Sequence, residues 1–187
     1  FLFIHLPKNA GSSVTKVLAD YIGVDREDLR PQKHKFISSR EVPSVLNGKQ
    51  DDYFIFTVIR NPWERTVSYF HYLQQIRQPP NNLSKDVKFA NWVRAGGFRT
   101  LQTQMSQLSD DFPCNVSRNI DYVARLENLS EDWPKICKKM GISCDMMHDK
   151  KSKHKHYSEY YNEVTKDIVY KFYKDDVQCL GYEFEKK

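Results

Sequence analysis

The amino-acid sequence predicts an α/β fold with a short parallel β-sheet flanked by helices. Two nearly continuous apolar runs, residues 1–6 and 53–59, have the composition of strands buried on both faces. A segment with helical spacing of its apolar residues follows each run, and strands that alternate with helices indicate a parallel sheet. The 187 residues suffice for one hydrophobic core, so we expect a single domain spanning residues 1–187.

The first predicted strand leads into the turn Pro7-Lys8-Asn9-Ala10-Gly11-Ser12-Ser13, and a helix is predicted over residues 12–22. Such a turn directs backbone N–H groups and a helix N-terminus at one point, which suits a phosphate. Lys8 adds a cation, and two serines add hydroxyl donors. Lys8 precedes Gly11 by three positions, the reverse of the order in a P-loop. A glycine-containing turn beside an unrelated lysine is the alternative interpretation.

The second predicted strand, residues 53–59, ends at Arg60, and Pro62 stands where a helix would begin. Arg60 can bind a phosphate with its planar guanidinium, and the Ser68 hydroxyl can reach the same anion from the helix. The alternative is an ion pair of Arg60 at the strand end, with Arg65 on a solvated helix face. An Asp that would hold Mg²⁺ does not end this strand, so metal-dependent phosphoryl transfer is disfavoured.

The remaining elements complete the α/β pattern. A helical segment is predicted over residues 89–108 with a break at Gly96 and Gly97, and a third strand over residues 120–126. Ser130 is predicted to cap a helix over residues 131–140. The basic run 150–156 is either a lid over an anion or a solvated linker. A long amphipathic helix is predicted after it, with these residues on one side: Tyr157, Tyr161, Val164, Ile168 and Phe172.

Composition narrows the function classes. The net charge of +5 fits an anionic ligand and also an ordinary basic protein. No apolar stretch approaches the ~20 residues of a membrane-spanning helix. The four cysteines form no CxxC pair, so we expect no zinc site and buried free thiols, although Cys137 and Cys144 could pair. Asn-x-Ser sequons stand at Asn82, Asn115 and Asn128 and matter in a secretory compartment.

Together, the two phosphate-binding segments resemble sulfotransferases that use 3′-phosphoadenosine-5′-phosphosulfate (PAPS), most closely the chondroitin, dermatan and heparan 2-O enzymes. The family's Pro-Lys-x-x-x-Ser/Thr-Ser/Thr loop is matched by residues 7–13. Its 3′-phosphate motif is matched by Arg60-Asn61-Pro62-Trp63-Glu64-Arg65 followed by Ser68. The C-terminal pattern Tyr170 to Asp175, then Leu180-Gly181-Tyr182-Glu183-Phe184, is also similar.

The resemblance implies the P-loop-like sulfotransferase fold and a role for each matching residue. Lys8 would stabilise the leaving oxygen, and Arg60 and Ser68 would hold the 3′-phosphate of PAPS. His34 lies where the heparan 2-O enzymes carry their base, and Glu127, after the third strand, is the alternative base. The basic loop of the family corresponds to a run that includes Lys153 and Lys155. The 5′-phosphate would contact Lys8, Asn9, Ala10, Gly11, Ser12 and Ser13.

The resemblance further implies PAP as product, no metal, and a hydroxyl acceptor on an oligo- or polysaccharide. Neither a nucleic acid nor a membrane span is expected. The compartment is the cytoplasm for a compact microbial or viral enzyme, or the Golgi lumen for an excised catalytic domain. Two other functions compete with sulfotransfer: a small kinase, and a non-catalytic protein that binds polyanions such as sulfated glycans or nucleic acid.

Overall fold

The computed structural model describes residues 1–24, 37–76, 83–110, 114–143 and 155–186. The chain divides into two compact units. The sheet unit comprises residues 1–60 and 107–151, and the helical unit comprises residues 61–106 and 152–187. The strands and helices, in chain order, are β1 Leu2–Ile4, α1 Gly11–Ile22, α2 Val42–Val45, β2 Ile55–Ile59, α3 Pro62–Gln75, α4 Phe89–Arg94, α5 Met105–Leu108, β3 Tyr122–Arg125, α6 Leu129–Met140, α7 Glu163–Phe172 and α8 Lys174–Cys179.

The sheet unit contains a three-stranded parallel sheet in the order β1-β2-β3. All five residues of the central strand β2 are buried, as its apolar and β-branched composition predicts. Its one polar residue, Thr57, donates its hydroxyl hydrogen to the Ile4 carbonyl over 2.9 Å. The predicted fold class, a short parallel sheet flanked by helices, is therefore confirmed.

Helices α1 and α6 share one apolar cluster with the sheet. The cluster consists of Val14, Leu18, Phe56, Val58, Ala124, Trp133, Ile136, Cys137 and Ile142. Both helices end at a glycine with positive φ, Gly23 at 71° and Gly141 at 68°. Helix α6 starts at Leu129 with Asn128 as N-cap, so the prediction that Ser130 caps it is wrong. A 3₁₀ turn over Leu126–Asn128 leads directly into α6. The helix therefore begins closer to β3 than predicted.

The helical unit begins at a capped helix. The Asn61 side chain accepts hydrogen bonds from the amides of Trp63 and Glu64, and Pro62 occupies the first position of α3. Helices α3, α4, α7 and α8 bury an aromatic-rich core: Trp63, Val67, Phe70, Phe89, Trp92, Val93, Phe98, Tyr157, Val169, Tyr173 and Val177.

Helix α7 differs from its prediction. A separate 3₁₀ turn covers Tyr157–Tyr160, and α7 starts only after Asn162. The Asn162 side chain accepts from the Thr165 amide, and the Thr165 hydroxyl accepts from the Asn162 amide, so this pair determines where the helix begins. The buried face consequently carries Thr165 and Val169, whereas Val164 is 57% exposed.

The helical unit buries a charged pair, which contradicts the alternative interpretation that Arg65 lies on a solvated helix face. Arg65 is fully buried rather than on a solvated helix face, and its Nη1 donates to the Gln102 carbonyl over 2.8 Å. The Asp176 carboxylate accepts from the amides of Gln104 and Met105 over 2.8 and 2.7 Å. Burial raises the pKa of Asp176, while these hydrogen bonds and the charge of Arg65 act to lower it.

The cysteines contradict a further expectation. Cys114, Cys137 and Cys179 are disulfide-bonded, so the prediction of free thiols is wrong for these three. Cys144 lies outside the described residues. Within the described ranges, no helix combines the length and apolar character that crossing a bilayer requires.

Candidate active site

The turn after β1 has an unusual backbone that its own side chains hold in place. Lys8 and Ala10 adopt positive φ angles of 70° and 59°, a region that costs free energy for non-glycine residues. Between them, Asn9 is fully buried, and its Nδ2 donates to the Val58 carbonyl of β2 over 2.8 Å. The Asn9 amide donates to the Leu6 carbonyl over 3.3 Å. Asn9 therefore ties the turn to the central strand through its side chain.

The N-terminus of α1 is electrostatically open to an anion. Ala10 occupies the N-cap position and has no polar side chain to accept a hydrogen bond, and the first turn of α1 carries no acidic residue. The amides of Ser13 and Val14 already donate to the Ala10 carbonyl. The amides of Gly11 and Ser12 precede them, in the region where the helix dipole is positive. This end of α1 thus has the properties of a phosphate-binding helix terminus.

Gly11 is required here by close packing. A Cβ atom at this position would lie 1.7 Å from Nε2 of His5. The His5 ring in turn stacks on Phe3, with 5.6 Å between ring centroids and 16° between ring planes. No sequence motif pointed to His5. The alternation of side chains along a strand could have indicated their contact, because it places Phe3 and His5 on the same face.

Two cations meet beside this helix terminus. Arg60 follows the last residue of β2 and is 8% exposed, and its Nη1 donates to the Lys8 carbonyl over 3.1 Å. Burial, and secondly the positive charge of Arg60, lower the pKa of Lys8 to about 8. Holding two positive charges together in a partly buried position is unfavourable unless an anion compensates them. Lys8 and Arg60 thus both follow the carboxyl ends of strands, β1 and β2, that pair in the sheet.

The other predicted site residues stand as follows. Ser12 is exposed and Ser13 half-buried. Ser68 lies on α3 in the helical unit, half-buried, with no hydrogen bond from its hydroxyl to any residue that the structure describes. Lys155 is exposed, and its Nζ lies 3.7 Å from a Glu159 carboxylate oxygen. His34 and Lys153 lie outside the described residues.

Among the residues with described coordinates, no three His, Cys, Asp or Glu side chains cluster as metal ligands would. In the C-terminal segment, the fully buried tyrosine and aspartate are Tyr173 and Asp176, whereas Tyr170 and Asp175 are partly exposed.

Comparison with known proteins decides the family. The sequence model of the sulfotransferase family matches residues 1–183. This chain belongs to the sulfotransferase family. Its fold is similar to that of mouse sulfotransferase SULT7A1, solved in complex with PAP, with a TM-score of 0.57 and 14% sequence identity. That match covers 95% of this chain and 84% of the mouse chain.

A second relative is an uncharacterised protein of Archaeoglobus fulgidus. It is 28% identical over 92 residues, which cover 49% of this sulfotransferase and 71% of the archaeal protein. The family match assigns the chain to the enzymes that transfer sulfuryl groups, and it gives no support to the non-catalytic polyanion-binding alternative. The P-loop-like sulfotransferase fold expected from the resemblance is confirmed by the similarity to the mouse enzyme.

Proposed function

We propose that this sulfotransferase transfers the sulfuryl group of PAPS to a hydroxyl of a carbohydrate and releases PAP. The observation that carries the proposal is the pairing of Lys8 and Arg60 beside the N-terminus of α1. This arrangement suits a phosphorylated anion. It combines two cations, of which Lys8 has a lowered pKa, with a helix terminus that has no side-chain cap and no acidic residue. The mouse relative of similar fold is described as a complex with PAP.

Each residue of the turn has a distinct role in this proposal. The backbone amides of Gly11 and Ser12 and the hydroxyls of Ser12 and Ser13 bind the 5′-phosphate, since the amides of Asn9 and Ser13 already donate within the turn. Arg60 binds the 3′-phosphate with its guanidinium. The contribution of Ser68 to the same phosphate rests on its spacing from Arg60 in the sequence, and that of Lys153 and Lys155 rests on their place in the basic run.

Sulfuryl transfer requires a base and a cation. When bound, PAPS supplies a sulfur atom that bonds to the acceptor oxygen as its bond to the 5′-phosphate oxygen breaks. His34 accepts the proton that the acceptor hydroxyl loses, since an imidazole has a pKa near neutral. Lys8 stabilises the negative charge that develops on the leaving oxygen. The protein's own cations carry this charge, so the proposal assigns no step to a metal ion.

Calorimetric titration with PAP and with adenosine 5′-monophosphate tests the cofactor assignment. We expect PAP to bind more tightly because its 3′-phosphate contacts Arg60. Arg60→Ala should weaken PAP binding by ~1.5–3 kcal/mol, the scale of a hydrogen bond to a charged group. Arg118→Ala, which removes an exposed arginine of the same unit, is the matched control and should leave binding unchanged. Equal binding of the two nucleotides would contradict the proposal.

Turnover measurements test the catalytic roles. Lys8→Ala should lower kcat far more than PAP affinity, whereas Lys16→Ala on the exposed face of α1 should change neither. His34→Ala should lower kcat with PAP affinity retained. Transfer of radiolabelled sulfate to chondroitin, dermatan and desulfated heparan, compared with small phenols, tests the acceptor class. Transfer to phenols with none to the polysaccharides would overturn the carbohydrate assignment.

A further inference from the structure

Two asparagines of the sheet unit have surroundings that suit a covalent modification. Asn115 begins the tripeptide Asn-Val-Ser and Asn128 begins Asn-Leu-Ser, and both asparagines are exposed. Neither has proline at its middle position, so both satisfy the acceptor pattern for N-linked glycans. The third sequon asparagine, Asn82, lies outside the described residues.

The side-chain amides of these two asparagines form no hydrogen bond with any residue that the structure describes. Asn128 stands at the N-cap of α6, a position where asparagine commonly caps the helix, yet its side chain makes no capping hydrogen bond. The Asn115 side chain likewise forms no hydrogen bond with a described residue. In contrast, the side chains of Asn61 and Asn162 cap helices. A glycan on Asn115 or Asn128 would therefore displace no contact that the described part of the fold needs.

The cysteines supply an independent observation about the compartment. Cys114, Cys137 and Cys179 are all disulfide-bonded, and Cys114 immediately precedes Asn115. Disulfides persist in oxidising compartments such as the secretory pathway and are rare in the cytosol, where thiols are kept reduced. N-linked glycosylation takes place in the same oxidising pathway. The oxidised cysteines and the exposed asparagines of the two sequons thus point to one environment.

We infer that this sulfotransferase matures in the secretory pathway and carries N-linked glycans on Asn115 and Asn128. In each case the asparagine Nδ2 bonds to C1 of the first sugar of a lipid-linked oligosaccharide. The bond from C1 to the lipid diphosphate breaks, the lipid diphosphate leaves, and the amide nitrogen loses one proton. The inference does not depend on the acceptor that the enzyme sulfates, and it favours the lumenal compartment over the cytoplasmic one.

Mass spectrometry of the protein from its native cells is the first test. Peptide N-glycosidase in heavy-oxygen water converts a glycosylated asparagine into a labelled aspartate, so we expect the label at positions 115 and 128. Alkylation without prior reduction should leave Cys114, Cys137 and Cys179 unmodified. Unlabelled peptides at both positions, or alkylation of these cysteines, would overturn the inference. If only one of the two asparagines carried the label, the assignment of a glycan to the unlabelled asparagine would be wrong.

Variants expressed through a eukaryotic secretory pathway identify the sites by gel mobility. N115Q and N128Q should each remove one glycan-sized step, and the double variant should remove both. N91Q is the control, because Asn91 is exposed but lacks a hydroxyl residue two positions later. S117T and S130T preserve the sequons and should keep both glycans. Wild-type mobility for N115Q or N128Q would contradict the assignment at that site. Both variants should keep the wild-type melting temperature, and this measurement distinguishes loss of a glycan from misfolding.

Discussion

Replacing Gly11 with alanine tests whether the contact with His5 shapes the phosphate-binding turn. Alanine is favoured over glycine in a helix by ~1 kcal/mol, so propensity alone predicts stabilisation. However, the new Cβ would lie 1.7, 1.9 and 2.5 Å from three atoms of the His5 ring. Comfortable contacts between nonbonded atoms are ~3.5–4 Å, so the ring would have to move by ~2 Å.

The neighbours of His5 restrict that movement. Its ring stacks on Phe3, and Phe3 stacks on the buried Phe56 with 5.1 Å between centroids. Overpacking of this kind costs ~1–3 kcal/mol, which exceeds or cancels the gain in helix propensity. We therefore expect Gly11→Ala to lower the free energy of unfolding by up to ~2 kcal/mol and to weaken PAP binding.

A double-mutant cycle with His5→Ala isolates the contact. Without the imidazole, the Gly11→Ala change should stabilise the protein by up to ~1 kcal/mol, so the two substitutions should be coupled. Denaturant unfolding and PAP calorimetry on all four proteins measure this coupling. Gly23→Ala is the control at the other end of α1: its φ of 71° penalises alanine, but nothing lies within 4 Å of the added Cβ. Wild-type stability and PAP affinity in Gly11→Ala, with no coupling to His5, would refute the reasoning.

Four further predictions concern buried charges and a helix cap. Because the pKa of Lys8 is about 8, kcat/KM for PAPS should fall above that pH, and Lys8→Arg should move this decline to higher pH in an activity profile. In the folded protein the pKa of Lys8, about 8, lies below its ordinary value of 10.5, so between pH 8 and 10.5 the unfolded chain binds more protons than the folded one. The free energy of unfolding should therefore rise with pH in this range. Lys8→Met should remove the rise, as measured by denaturation midpoints. Asp176→Asn should cost ~3 kcal/mol of unfolding free energy because it removes the buried negative charge that interacts with Arg65. A loss no larger than that of Asp175→Asn would contradict the role of the pair. Asn61→Ala should cost ~1 kcal/mol in thermal unfolding through loss of the α3 cap, and a wild-type melting temperature would disprove it.

Local sequence patterns predicted the elements that carry the candidate site. The apolar run ending at Arg60 became the fully buried strand β2, and the turn after β1 leads into a helix with the predicted end at Ile22. These features depend on periodicity and on turn residues within a few positions of one another, which can be read from one segment at a time. The register of α7 was missed because Asn162 and Thr165 cap a shorter helix than the apolar spacing suggested.

The sequence by itself determined the alternation of strands and helices, the turn that ends at the phosphate-binding helix, and the ordered motifs by which the family is recognised. Only the tertiary structure decided that Arg65 is buried near Asp176, that His5 leaves no room for a side chain at position 11, and that Asn9 anchors the turn to β2. It also decided that the three described cysteines are oxidised. These outcomes depend on which distant segments pack together, and spacing along the chain carries no direct record of that packing.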